Sequence, residues 1–256
     1  MAPNRASAEI NWYDPDLRGI LPITGLHVSK KLRRTIKQQP YEMTFDKAFE
    51  AVMRNCADVR PDTWINDEII ALYTELHKQG YAHSVEAWQD GKLVGGLYGI
   101  AIGAAFFGES MFSTATDASK ISLVYLAARL WKHGFELLDT QFTNEHLKQF
   151  GVFEIPRNEY RKLLKKALAK KVSFKRNQFL SGGSAGLGSA TAAGSDGPAE
   201  GAFLPLTGAA ATAGSGVAAE GSASPFTGVP SGAFSEEKSC DFEDVVSFLH
   251  SITQTS

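Results

Sequence analysis

Residues 181–233 constrain this chain more than any other stretch: of 53 positions, 13 are Gly, 14 Ala and 8 Ser, and none is Lys or Arg. Such a composition buries too little apolar surface to offset the entropy of ordering its backbone. The segment is expected to be disordered, as a linker over 181–240. About 180 of the 256 residues remain for folded structure, enough for one domain with a small companion. Charge divides at the same place. Residues 1–180 hold 25 Lys/Arg against 20 Asp/Glu, whereas residues 181–256 hold one against eight. The folded part is mildly basic, which suits a polyanionic partner without demanding one. Cys56 and Cys240 are too few for a disulfide scaffold or a four-thiolate zinc site, and the six histidines form no i, i+4 pair. No metal or other cofactor is expected. No run of 18 apolar residues exists, and the N-terminus lacks the apolar core of a secretory leader. A cytoplasmic protein without a membrane span is the expectation.

Periodicity sets the elements. Residues 11–25 read as an ordered loop with a short strand. Ser29 caps a helix to about Gln38, and Tyr41–Phe45 is a strand. Asp46 is expected to cap a helix running to Cys56, and Asn66 one over Asp67–Gln79. Ser84–Gln89 and Lys92–Ile102 flank an Asp90-Gly91 hairpin turn, with Ala104–Phe107 as a third strand. Then come a helix over Asp117–His133, a strand over Glu136–Thr140, a short helix over Asn144–Phe150, a strand over Phe153–Ile155 and a basic helix over Arg157–Lys171. This order implies an α+β fold of mixed layers and is too irregular for a doubly wound dinucleotide domain. The apolar residues of 241–256 suggest a terminal strand or short helix docked on the domain. Gly95, Gly96 and Gly99 fit neither a P-loop nor a Rossmann loop; they permit a bulge or close backbone approach, or are loose strand positions.

Two clusters can carry chemistry. In Phe106-Phe107-Gly108-Glu109-Ser110-Met111-Phe112 a carboxylate sits among aromatics and a methionine, as in a pocket wall that takes an apolar side chain and an amino group. Asp139-Thr140-Gln141 lies at a strand end, where period two turns Asp139 and Gln141 the same way. An amide oxygen beside a carboxylate can hold an amine near an electrophile, with Asp139 orienting the amide or relaying charge. Asp139 as a cap for the helix near Asn144 is the plainer alternative. Lys30, Lys31, Arg33, Arg34 and Lys37 form one basic patch. Arg161, Lys162, Lys165 and Lys166, with neighbouring Arg157, Lys170 and Lys171, form another. Both suit phosphates, and ordinary solvated helix faces would look the same.

These stretches carry a resemblance. WYDPDLRGILP (12–22), TWI (63–65), HSVEAW (83–88), LVGGLYG (93–99), FGESMFS (107–113), DASK (117–120), LDTQF (138–142), His146-Leu147 and EIPR (154–157) occur in the order found in bacterial leucyl/phenylalanyl-tRNA–protein transferases, chiefly alphaproteobacterial ones. The sequence resembles that family over roughly residues 10–170. The resemblance implies a cytoplasmic, monomeric aminoacyltransferase that takes Leu or Phe, less often Met, from aminoacyl-tRNA. Its acceptors would be proteins beginning with Arg or Lys, which the added residue marks for degradation. It implies a main domain like the acyl-CoA N-acyltransferases over 61–180, a small N-terminal domain over 1–60, and a segment over 241–256 after the linker. The family's usual Tyr-x-x-Gly-x-Phe-Pro-Met segment is missing ahead of Met1, so the small domain is expected to be truncated. Residue by residue, Asp139 and Gln141 match the family's catalytic pair and Glu109 a carboxylate near the reacting groups. Leu97, Phe106, Met111 and Leu126 match the pocket for the transferred side chain, and Trp64 and Tyr13 match aromatics near the tRNA 3′ adenosine. Two other readings stay open at this point: an acetyl-CoA-type N-acyltransferase and a non-catalytic RNA-binding module.

Overall fold

The structure, a computed structural model, describes residues 11, 13–60, 62–175 and 238–253, with side chains in the last stretch from 242. The stretch 181–233, expected to be disordered, lies outside the described residues. Seven strands form one sheet in the order β2-β3-β4-β5-β6-β1-β7. They are β1 (Leu17–Leu21), β2 (Glu42–Phe45), β3 (Ala82–Gln89), β4 (Lys92–Ile102), β5 (Ala105–Ser113), β6 (Leu137–Gln141) and β7 (Phe153–Pro156). Every neighbouring pair is antiparallel except β5 and β6. The mixed α/β reading is thereby met. Residues 17–21 and 42–45, which the sequence reading gave to a separate small domain, instead lie inside this sheet and at its edge.

The helices are α1 (Lys30–Lys37), α2 (Phe49–Asp58), α3 (Asp67–Lys78), α4 (Ala118–Lys132), α5 (Glu145–Lys148), α6 (Arg157–Leu168) and α7 (Lys238–Ser251). Ser29, Asn66 and Asn144 cap α1, α3 and α5 by accepting from Leu32 N, Ile69 N and Leu147 N. Asp46 does not cap α2, which starts after Ala48. Its carboxylate is drawn away to Ser84 N and the His83 ring. Asp117 likewise gives α4 no side-chain cap and takes a left-handed conformation.

One core cluster packs α4, α1 and α7 on the sheet through Leu97, Phe106, Leu126 and Phe248. A second joins α2 and α3 to Tyr98 and Phe112. The C-terminal helix buries Val245, Phe248 and Leu249, and Ile252 follows just after it, each worth about 1.5–3 kcal/mol at most. Phe248 packs against Trp131 of α4, and Lys132 pairs with Asp244 at 2.8 Å. Lys238–Cys240, expected to end the linker, open this helix. No helix among the described residues is long and apolar enough to cross a membrane.

Glycine keeps β4 close to its neighbours. A Cβ on Gly99 would lie 2.3 Å from Phe107 O and 2.5 Å from the Phe106 ring, and one on Gly95 would lie 2.5 Å from Ala118 Cβ. These are internal approaches, not contacts reserved for a ligand. A bulge follows at once: Gly99 faces Gly108 and Tyr98 faces Ser110, which leaves Glu109 as the extra residue of β5.

Candidate active site

β5 and β6 pair only from Ala105–Leu137 to Phe107–Asp139, although β5 runs on to Ser113 and β6 to Gln141. A cavity of about 570 Å³ lies beyond that point, lined by Gly108–Ser113 from one strand and Thr140–Phe142 from the other. The loop ahead of α3 adds Thr63 and Trp64, and α4 adds Leu123 and Leu126. The bulge re-aims Glu109 toward α3, where the Tyr73 hydroxyl donates to it.

Gln141 closes the seam between the strands. Its Nε2 donates to Gly108 O at 3.1 Å and to Glu109 Oε2 at 3.0 Å. Oε1 has no partner among the described residues and is the side chain's remaining acceptor. Gln141 has φ +65°, and Phe142 N–H donates to Thr140 O across it at 2.8 Å, a left-handed γ-turn. The alternation that was to aim residues 139 and 141 alike therefore breaks at 141. Asp139 is fully buried behind the cavity wall, and Gln141 lines the cavity itself. Arg18, Tyr160 and the Gln141 backbone donate to the Asp139 carboxylate. It is therefore no open proton acceptor, and it does not cap α5, a role filled by Asn144.

Glu109 is the carboxylate placed for chemistry. Burial pushes its pKa up, against hydrogen bonds from Gln141 and Tyr73 that pull it down, with nearby Asp139 adding to the rise. An easily protonated carboxylate held by an amide whose oxygen is left to accept, in an apolar cleft, can hold an amine and take up its proton.

Of the residues singled out in the sequence, Trp64, Leu97, Glu109, Met111, Leu126 and Gln141 line the cavity. Phe106 does not. It is fully buried in the core cluster that also holds Leu97 and Leu126, stacked on Phe174 at 5.6 Å. Tyr13 is 58% exposed and does not line the cavity. Lys30, Lys31, Arg34 and Lys37 are exposed on α1, but Arg33 is committed inward, donating to Val28 O and, at 2.6 Å, to Leu249 O at the end of α7. On α6, Arg161 pairs with Asp14 and Lys166 with Glu136, while Lys162 and Lys165 are exposed with no ion-pair partner among the described residues. Sequence reasoning missed Arg18, Tyr160 and Tyr73. Arg18 stands in the resembling stretch 12–22 without a role, and neither tyrosine carries a motif of its own.

Residues 20–165 match the family described as Leucyl/phenylalanyl-tRNA protein transferase. A protein named Leucyl/phenylalanyl-tRNA--protein transferase from Paramagnetospirillum magneticum is 57% identical over 180 residues, covering 69% of this chain and 86% of its own. Proteins of the same name from Caulobacter vibrioides and Gloeobacter violaceus are 56% and 55% identical, over 66% and 65% of this chain and 79% and 86% of theirs. A solved structure of a functionally unknown conserved protein from Staphylococcus epidermidis aligns at a TM-score of 0.29, with 9% identity over 50% of this chain and 65% of its own, too little to bear on the fold. With a match across more than half its length and relatives this similar, the chain belongs to the leucyl/phenylalanyl-tRNA protein transferase family.

Proposed function

We infer that this chain transfers leucine or phenylalanine from aminoacyl-tRNA to the N-terminus of proteins. The observation that carries the mechanism is the meeting of Gln141 and Glu109 at one end of a cavity whose other walls, Leu97, Met111, Leu123 and Leu126, are apolar. Those walls suit the transferred side chain, and Trp64 offers a face for the terminal adenosine.

Aminolysis of the ester is downhill and requires no metal. The acceptor nitrogen bonds to the ester carbonyl carbon, the bond to the ribose oxygen breaks, and the proton lost by nitrogen ends on that oxygen. An unperturbed α-amine has a pKa of about 8, so an appreciable minority is neutral near pH 7. What the protein supplies is placement. In this account Gln141 Oε1 accepts from the attacking amine, and Glu109, braced by Gln141 Nε2 and Tyr73, draws the cationic acceptor, takes up the proton that the attacking nitrogen loses and hands it to the departing ribose oxygen. Asp139 orients Gln141 through its backbone N–H.

The same reading takes acceptors with N-terminal Arg or Lys, marked thereby for degradation, and a main domain of N-acyltransferase type that uses tRNA as acyl carrier. The exposed Lys162 and Lys165 of α6, with Lys30, Lys31, Arg34 and Lys37 of α1, are the phosphate contacts. The test is transfer of labelled leucine from charged tRNA to a peptide beginning with Arg, beside one beginning with Asp. The expected result is labelling of the Arg peptide alone. No transfer to either peptide, or acetylation of the peptide from acetyl-CoA instead, would overturn the reading.

A further inference from the structure

We propose that Arg18 and Tyr160 are positioning residues for the transfer step: they hold Asp139 as a fixed clamp on the backbone N–H of Gln141, and that clamp keeps the Gln141 amide turned into the cavity. This rests on the transfer reading and extends it to two residues that do not line the cavity.

The geometry around Asp139 is saturated. Arg18 Nε lies 3.0 Å from both carboxylate oxygens and Arg18 Nη2 lies 2.8 Å from Oδ2. The Tyr160 hydroxyl donates to Oδ2 at 2.5 Å, and Gln141 N–H donates to Oδ1 at 2.7 Å. A carboxylate offers about four lone-pair sites, and these donors fill them. Asp139 is 0% exposed, so an incoming amine neither reaches it nor finds an open acceptor there. An isolated anion in that position would be expensive, and the Arg18 fork is what makes it tolerable. Burial works against the charge on Arg18, but its hydrogen bonds to Asp139 and their mutual attraction raise its pKa overall. The Arg18 guanidinium also lies 5.2 Å from the centre of the Tyr160 ring, so the two donors brace each other.

What the clamp holds is a conformation that glutamine does not favour. A non-glycine residue at the centre of a left-handed γ-turn is strained and persists only where its surroundings hold it. Asp139 Oδ1 takes the N–H of the strained residue itself. Its side chain is thereby left free to span from Gly108 O to Glu109 Oε2. With the clamp loosened, the turn relaxes toward extended backbone and the amide leaves the seam. Arg18 comes from β1 and Tyr160 from α6, so two distant segments converge on the one carboxylate that holds the Gln141 N–H.

The test uses the full chain with Tyr160→Phe and Arg18→Lys. Single-turnover transfer at saturating charged tRNA and peptide should fall about 10-fold for Tyr160→Phe and about 100-fold for Arg18→Lys. The peptide KM and the affinity for charged tRNA should stay within about twofold. The loss should be uniform over about pH 6 to 9, because no proton passes through Asp139. Hydrogen exchange at the Gln141 amide should speed up by about 10-fold in both variants. Tyr160→Phe removes a single hydroxyl, and it decides the matter alone if Arg18→Lys does not fold. Wild-type transfer rate in a folded Tyr160→Phe, a raised KM at unchanged kcat, or unaltered Gln141 exchange would overturn the proposal. Failure of the wild-type chain to transfer would strike the transfer reading instead, and the exchange measurement would still judge the clamp.

Discussion

Asp46 and Asp139 are both carboxylates withdrawn from water on the same sheet, yet their surroundings differ in one respect. At the β2–β3 edge, Asp46 accepts from Ser84 N at 3.0 Å and faces the His83 ring at 2.9 Å, while His83 reaches on to Gly80 O. Glu86, fully buried beside it, accepts from Ser84 Oγ at 2.5 Å and Thr44 Oγ1 at 2.6 Å, and Trp88 donates to Thr44 in turn. These groups satisfy one another, and none lines the cavity. At the β5–β6 seam Asp139 is fully enclosed, more so than Asp46, but the network ends in Gln141 Oε1 and Glu109, which meet open space. Burial and polar density are therefore common to both regions. The parting of two strands, a bulge at Glu109 and a left-handed Gln141 distinguish the second. HSVEAW carries the family resemblance beside LDTQF, and in this account it is scaffold.

That contrast can be broken by substitution. Asp139→Ala should cut transfer by about 10³-fold while charged-tRNA affinity changes little, and should cost about 3–5 kcal/mol of stability because Arg18 is left unpaired. Parallel transfer, binding and urea-unfolding measurements would show this, and a matching loss of tRNA affinity would make Asp139 scaffold like Asp46. Glu109→Gln should lower transfer by about 10²-fold. Because burial raises the Glu109 pKa, its carboxylate is protonated earlier as pH falls, so wild-type transfer should decline on the acid side at higher pH than an exposed glutamate would give. The variant should lack that limb in a pH–rate profile.

His83→Ala should do the reverse: about 3–5 kcal/mol less stable to urea, with an unchanged transfer rate per folded molecule. A rate loss in folded protein would erase the distinction between the two regions. Burial would raise the Asp46 pKa, but the hydrogen bonds from His83 and Ser84 N, with the attraction of His83 and His77, together outweigh it and hold it below the usual value. Its stabilisation is thus present at neutral pH and is lost as pH falls through that lowered value. Without His83 the acid-side loss should begin at higher pH. The smallest effect is expected at α6. Replacing Lys162 and Lys165 by Gln should weaken tRNA binding a few-fold and reduce the slope of log K against log salt by about 2. An unchanged slope would remove α6 from the contact surface.

Much of this was legible from local pattern. Ser29, Asn66 and Asn144 announced their helices because a cap bonds within three residues. Asp46 carried the same signal and misled, because its partners His83 and Ser84 lie more than 35 positions away. Leu97, Met111 and Leu126 line the cavity. Phe106 does not: it shares the face of Met111, opposite Ala101 where Met111 is opposite Leu97, but lies further along the strand and packs on Phe174 in the core. The φ of Gln141 had no trace in its residue type. Arg18 is 121 positions from Asp139, and only the insertion of β1 between β6 and β7 brings them together.

The account turns on the amide of Gln141 meeting the incoming amine beside the ester. Single-turnover transfer of labelled leucine to an Arg-initiated peptide by Gln141→Ala, at saturating charged tRNA, addresses that directly. The expected result is a fall of about 10³-fold in rate with tRNA affinity intact; a rate within a few-fold of wild type would contradict it.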